Sequence, residues 1–516
     1  MVQSASSDID ESDIPLYSPV GHKAKKVRWQ VSAEKGLETI EARKPVIALA
    51  LMALFGALLI FLFPGCPEQD TDFHFLEART SWSSPWLFVD VWGRPLYTTV
   101  YALPALLGFT AARFFAVGIG VAVAWQTWRL ACDLRLQRAW LVIPLLLGQP
   151  VFFELFPDLL TEPLFALVFV VALRWHLRGR ARRGMLAASL LPLARPEGVF
   201  LCLLWAVWVM AKNVNLDRST RVSIPQQLIR NAPPTLLLAT GVFCWLIAAL
   251  CLTHDPLFIL HNWPSTWHRG VYGHGTLFSY GQRASEFLGV LLALPFAIGL
   301  WCQIRVRSWV PVITSVLLLF FLHTLFRAYG LFGEAGYPRY MVSVAPAIAL
   351  LTLQGWNTIA SKIAGWSPFA YGALGSAVLS VSLLLSFWYL DSFPSARDPI
   401  AIREMFDWLH EHPVPYRRLV WSNAQMCIVC GLTLKQSPSL QVSRRETILA
   451  WLRDAPPSTL VFWDDHFGPD WFGLTAADIE DSGFNRLRTR RYSLPGVVVR
   501  DVAGNRELEL SLLLKP

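Results

Sequence analysis

VIALALMALFGALLIFLF, residues 46–63, is followed after the four residues PGCP by EQDTDFHFLEART, residues 68–80. Eighteen consecutive apolar residues suffice to cross about 30 Å of hydrocarbon. The polar run behind them sets Asp70, Asp72, His74 and Glu77 immediately outside the membrane. Residues 1–45 are polar and basic, with Lys23, Lys25, Lys26, Arg28, Arg43 and Lys44, so the first apolar run reads as a retained anchor rather than a cleaved signal. Up to about Glu41 the Ser, Asp and Lys content is that of a disordered cytoplasmic segment.

The rest of the chain repeats the pattern. Of 516 residues 54% are hydrophobic and 16% charged, with a mean hydropathy of +0.41, where a soluble domain carries about 25% charged residues. Apolar runs at Phe287 to Leu300, Val310 to Phe326 and Tyr371 to Trp388, and shorter ones near 111–128, 139–153, 160–174, 184–194, 198–211, 233–252 and 341–353, bring the expected count to eleven spans. Pro144, Pro163, Pro192 and Pro346 are expected to kink several of them. No internal repeat is evident.

Lys and Arg set the orientation, because short basic loops stay cytoplasmic. With the N-terminus inside, alternation keeps Arg129, Arg135 and Arg138, then Arg174 to Arg183, then Lys212 to Arg230, then Arg305 and Arg307 inside as well. The net charge of +8 is thus mostly a topology signal and gives no reason to invoke nucleic acid. From about Asp391 the long apolar runs end. Ile402, Phe406 and Leu409 share a helical face, Leu419 to Trp421 and Thr459 to Trp463 read as buried strands, and Thr475 to Asp478 reads as a capping box. The organisation is therefore 1–45 cytoplasmic, 46–390 a multispanning α-helical membrane domain, and 391–516 a small extracytoplasmic α/β domain. Phe462 to His466 follows a strand, where either a ligand site or a polar loop fits.

Eight cysteines are scattered. Cys427 and Cys430 form a lone C-x-x-C, which favours core packing or a local disulfide over zinc. No Walker loop and no GxGxxG between a strand and a helix is present.

The candidate chemistry gathers on the outer side. Besides the first loop, PDLLTEPLF places Asp158 and Glu162 at one outer turn, LARPEG places Arg195 and Glu197 at the next, and GYPRYMVSVAPAIAL places Arg339 and Tyr340 at the entry of a late span. Arg113 opens the second span. Each Arg alone is as well explained as a headgroup anchor. Trp82 to Leu107 reads as amphipathic helices on the bilayer surface. The loop Thr253 to Arg283 holds His261 among other histidines, tryptophans and tyrosines that suit a sugar cavity, or equally an interfacial aromatic belt.

In order, DTDFHFLEAR, RPLYTTVYALPALLGFTAARF, a basic inner loop, TEPLF, RPEG and PRYMVSVAPAIAL resemble the polytopic GT-C glycosyltransferases, over residues 46 to 390. Bacterial relatives of the protein O-mannosyltransferases and the lipid A aminoarabinose transferases are similar in this order of motifs. The resemblance implies a cell-envelope hexosyltransferase of the inner (plasma) membrane. It would take a polyprenyl-phosphate-linked sugar and deliver it, with inversion, to a hydroxyl of a lipid, glycan or protein. Aligned at Ala78, Asp70 matches the family's catalytic Asp, Thr71 replaces a second acid and His74 replaces a Tyr, while Asp72 is the other candidate base. His74, Glu77, Arg113, Asp158, Glu162, Arg195, Glu197, His261, Arg339 and Tyr340 are then candidate substrate-binding residues. Metal use stays open, with a divalent ion as the only cofactor to consider. A transporter or flippase of lipid-linked precursors is the other class to weigh; neither an inverted repeat nor charged mid-span residues favour it.

The orientation has a direct check. Reporter fusions after Lys362 are expected to be cytoplasmic and those after Arg397 extracytoplasmic; the reverse pattern would move the acidic loop to the wrong side.

Overall fold

The computed structural model describes residues 28–63, 70–211, 232–264, 267, 273–363, 368–391, 397–429, 445–465, 467–493 and 507–516. Residues 1–46 and 47–516 are separate units, and the architecture below is that of the second. Helix α1 (Arg28–Leu62) carries the first span. It is followed by α2 (Asp70–Thr80), α3 (Pro95–Leu106) and α4 (Phe109–Asp133).

Six helices among the described residues are long and apolar enough to span: Arg43–Leu62, Phe109–Asp133, Pro233–Thr253, Val310–Tyr329, Pro338–Lys362 and Gly372–Tyr389. Gly198–Ala211 and Ala293–Val306 are shorter apolar helices. The chain is an integral membrane protein. Several of the eleven expected spans prove to be broken. The stretch 139–153 becomes a turn, Ala139–Leu141, and two short helices, Val142–Leu147 and Pro150–Leu155. The stretch 184–194 falls between Ala181–Ala188 and Leu191–Ala194. Pro150 and Pro192 open new helices here, since a proline cannot donate to the turn before it.

Pro163 and Pro346 were expected to kink their spans, but each lies in a first helical turn, of Thr161–Leu177 and Ala345–Lys362. The N–H groups there have no intrahelical acceptor, so the missing donor costs nothing. Helices Ala293–Val306 and Ala345–Lys362 cross where glycines meet. A Cβ on Gly299 would lie 1.9 Å from the Leu351 carbonyl, and one on Gly355 1.7 Å from that of Pro295. Small residues let helix backbones touch in lipid, where packing rather than hydrophobicity holds helices together.

The Trp82 to Leu107 stretch is only in part a surface element. It forms the turn Pro85–Val89 and α3, and α3 buries Tyr97, Thr98, Tyr101 and Ala105 while leaving Leu103, Leu106 and Leu107 exposed.

The C-terminal strands form one sheet in the order β1-β2-β4-β3. Strand β1 (Arg418–Trp421) runs parallel to β2 (Thr459–Asp464), and β4 (Glu507–Leu514) lies antiparallel between β2 and β3 (Asn485–Ser493). Strand alternation gives the sheet two apolar faces. Leu419, Trp421, Leu460 and Phe462 join a core with Ile402, Leu409 and Phe73, Phe75, Leu76 and Tyr97 of α2 and α3. Val420, Val461 and Trp463 pack on Ile448, Leu452 and Ile479 from the other side. The expected capping box is present: Thr475 N–H donates to Asp478 Oδ2 at 2.8 Å, and Asp478 N–H to Thr475 Oγ1 at 3.2 Å. Asp464 is buried, accepts from Ser422 Oγ and from the Phe467 N–H, and so serves the loop's structure. Cys427 is a buried free thiol, and Cys430 lies outside the described residues.

Candidate active site

Helix α2 follows directly on the first span and is buried from Thr71 to Ala78. A helix so enclosed presents its polar residues to protein on every side, and the 3.6-residue period sorts them. Asp70, His74 and Glu77 fall at i, i+4 and i+7 on one face. Thr71 and Asp72 fall on another, and the two aspartates therefore meet different partners.

Asp70 is ion-paired with Arg339. Arg339 also lies 3.6 Å from Glu162 Oε1, which Arg195 reaches at 2.7 Å; Arg195 in turn pairs with Glu197 and donates to Thr161 Oγ1 at 2.9 Å. Five charges from three helix ends and α2 thus form one chain: Asp70, Arg339, Glu162, Arg195, Glu197. Tyr340 lies beneath the two arginines, its ring centroid 5.0 Å from the Arg195 guanidinium and 5.6 Å from that of Arg339. Burial alone would raise Asp70, but Arg339, then His74, hold its carboxyl below the ordinary value. Glu197 is likewise penalised by burial and held low by Arg195. Both carboxylates stay ionised.

Asp72 is different. Burial and the neighbouring Asp158 push it well above the carboxylate range, only partly offset by a hydrogen bond with Gln425 and by Arg113. Asp158 accepts from Thr71 Oγ1 at 2.9 Å and from the Leu159 N–H at 2.6 Å. Arg113, expected at the substrate, is engaged with backbone: its Nε donates to the Pro157 carbonyl at 3.2 Å and its terminal nitrogen to that of Phe63 at 2.6 Å. It staples the end of the first span to the Asp158 turn.

His74 stacks on Trp92, with centroids 4.6 Å apart, and burial lowers its pKa to about 3, so it is neutral. Glu77 lies so close to Gly93 that a Cβ there would meet Oε2 at 2.1 Å; burial and Asp90 raise its carboxyl well above the usual range. His261 is not part of this group. It sits on the short helix Phe258–His261, largely exposed, paired with Asp255 at 2.8 Å. Its neighbour Asn262 instead donates to Asp90.

Sequence reasoning missed five residues as site candidates. Arg94 borders Arg195 and Glu197. Behind Tyr340, His323 stacks at 4.9 Å and its Nδ1 meets Glu334 Oε2 at 2.9 Å, while Tyr280 donates to Glu334 Oε1 at 2.6 Å. An ionisable His inside an apolar span was the available signal for that pair. Gln425 comes from the C-terminal part of the chain, and no local pattern links it to Asp72. Among the described residues no group of three or more metal-ligating side chains is present.

With this geometry in hand, comparison adds the fold. No protein-family model matches the chain, and no curated protein matches it in sequence. Two solved structures of ArnT from Cupriavidus metallidurans do match in shape. The one bound to undecaprenyl phosphate has a TM-score of 0.55 at 13% identity, over 91% of this chain and 98% of that one. The apo structure has the same score and identity, over 93% and 98%. This chain has a fold like that of these two structures.

The contrast between the aspartates is measurable. Because the folded pKa of Asp72 is raised, the folded chain holds a proton that the unfolded chain loses above the ordinary value of 3.8. Wild-type stability therefore falls as pH rises past that value. Asp72→Asn removes this penalty, so its Tm relative to wild type is expected to climb between about pH 4 and pH 8. A difference that shrinks over the same range would show Asp72 to be ionised.

Proposed function

We propose that the chain is a membrane glycosyltransferase that moves a sugar from a polyprenyl-phosphate donor to an acceptor hydroxyl at the outer face of the membrane, with Asp70 as general base. The observation that carries this reading is the contact between Asp70 and Arg339 at the end of a span, beside Arg195. It sets a proton acceptor next to an anion clamp at the depth where a lipid phosphate lies. The likeness to an ArnT structure bound to undecaprenyl phosphate supports the same donor class.

The reaction needs little from the protein. Phosphate is already a good leaving group, so a second carboxylic acid of the glycosidase kind has no task. The acceptor oxygen attacks the anomeric carbon from the face opposite the phosphate, its proton passes to Asp70, and the bond to the phosphate oxygen breaks with inversion. Negative charge grows on the departing lipid phosphate, where the forked donors of Arg339 and Arg195 stabilise it.

The ion pair also couples donor to base. While Arg339 faces Asp70, the carboxylate is held low and is a weak base. A phosphate bound between Arg339 and Arg195 takes the guanidinium as its own partner, and the carboxylate gains basicity as that donor arrives. Asp72, whose carboxyl is pushed up by burial and Asp158, faces Asp158 and Gln425 rather than the arginine pair and ties α2 to Gln425.

Asp70→Asn is expected to cut transfer of a radiolabelled sugar from a polyprenyl-phosphate lipid by at least about 10²-fold, whereas Asp72→Asn keeps most of it. Folding should survive, because Arg339 retains Glu162. Arg339→Lys should weaken donor binding, since an ammonium is a point charge and lacks the planar fork. Full transfer by Asp70→Asn would remove the base from this scheme.

A further inference from the structure

The face of α2 that carries Asp70 continues to His74 and Glu77, and neither is used by the chemistry above. Both are 5% exposed, and each keeps one fully buried polar atom without a hydrogen-bond partner in the protein: His74 Nδ1 and Glu77 Oε2. Arg94 Nε is a third such atom. The three converge, because Gly93 packs its backbone on Glu77 and so places Arg94 against the same helix face. Arg94 is near enough to disfavour the charged form of His74 and to favour that of Glu77. Asp90 shapes the wall but is itself satisfied by the Gly93 N–H at 2.7 Å and by Asn262.

Arg94 is also held in an unusual backbone state. Its φ is 61° and ψ 102°, a left-handed conformation that side-chain-bearing residues rarely adopt and that clusters where a ligand is gripped. The guanidinium lies over the Trp267 ring at 4.7 Å, and one terminal nitrogen donates to the Val91 carbonyl at 2.8 Å. These contacts fix the side chain and leave Nε–H presented.

We infer that His74, Glu77 and Arg94 form the subsite for the sugar ring of the donor, and that the sugar it takes bears hydroxyls and no cationic amine. This rests on the donor reading above. The three free atoms comprise a fixed donor, Arg94 Nε–H, and two groups able to give or accept, which matches neighbouring hydroxyls that each do both. Buried polar groups are kept where something completes their hydrogen bonds. An ammonium at these three atoms would face the fixed cation Arg94, which repels it and whose free Nε–H it cannot accept, whereas a hydroxyl oxygen can. Arg94 also borders Arg195, so the subsite adjoins the phosphate clamp and a sugar phosphodiester reaches both.

Equilibrium binding of three lipids tests this: bare polyprenyl phosphate, a polyprenyl-phosphate hexose, and a polyprenyl-phosphate aminopentose. Wild type is expected to bind the hexose lipid at least about tenfold more tightly than the other two. Arg94→Gly suits the left-handed backbone, so it should fold. It should lose that preference by falling at least about tenfold on the hexose lipid while keeping its affinity for bare polyprenyl phosphate. Glu77→Gln, neutral like the acid it replaces, should keep most of the preference. Arg339→Lys, by contrast, should weaken all three lipids. Unchanged hexose-lipid affinity in Arg94→Gly, or a wild-type preference for the aminopentose lipid, would overturn the subsite and leave the donor reading standing. If wild type binds none of the three, the donor reading falls and the subsite with it.

Discussion

A membrane edge is a poor place for a charge without a counter-charge, and the structure is arranged around that constraint. Asp70, Arg339, Glu162, Arg195 and Glu197 come from distant parts of the sequence, yet none of them can be buried alone. Removing one partner from a buried pair costs about 3–5 kcal/mol. The helix ends that carry them are thereby pinned to each other: α2, the start of Thr161–Leu177, the turn before Gly198–Ala211, and the entry to Ala345–Lys362. The same pairing that holds those ends together leaves two arginines beside Asp70, the arrangement that the proposed phosphate departure and proton uptake would use.

The two aspartates of α2 show how a fold divides labour between similar residues. Two positions apart, they point in different directions. Asp70 meets a guanidinium that holds its carboxyl low, while burial and Asp158 push that of Asp72 up. Gln425, on the short helix Ala424–Val429 that follows β1, binds Asp72, and the sheet shares a hydrophobic core with Phe73, Phe75 and Leu76 of the same helix as Asp72. The C-terminal sheet thus braces α2 through that shared core.

Much of this was legible in the sequence. The acidic run behind the first span, Glu162 at TEPLF and the arginines at RPEG and PRYM were visible because hydropathy locates span ends and ionisable residues stand out there. Strands β1 and β2 and the Thr475 cap were legible for local reasons of pattern and capping. What was not legible is tertiary. Apolarity alone could not tell the broken stretches at 139–153 and 184–194 from continuous spans. Nor could it tell that Pro163 and Pro346 start helices instead of bending them, since that depends on where the first turn falls. Arg113 looked like a ligand residue because its type and depth are right, but its donors go to the Phe63 and Pro157 carbonyls. Arg94 opens the RPLYTT motif, yet neither it nor Gln425 could be brought to α2 from the sequence, because what places them is a left-handed turn and a short helix distant in sequence.

The central claim is that a sugar changes its chemical partner at this site, and it is most directly tested by following the label itself. Purified protein in proteoliposomes, given a polyprenyl-phosphate sugar radiolabelled in the sugar and a hydroxyl-bearing acceptor, should move label off the polyprenyl lipid into a product of inverted anomeric configuration. Label that stays on the polyprenyl phosphate but crosses to the other leaflet would contradict the account and mark the chain as a transporter of lipid-linked sugars.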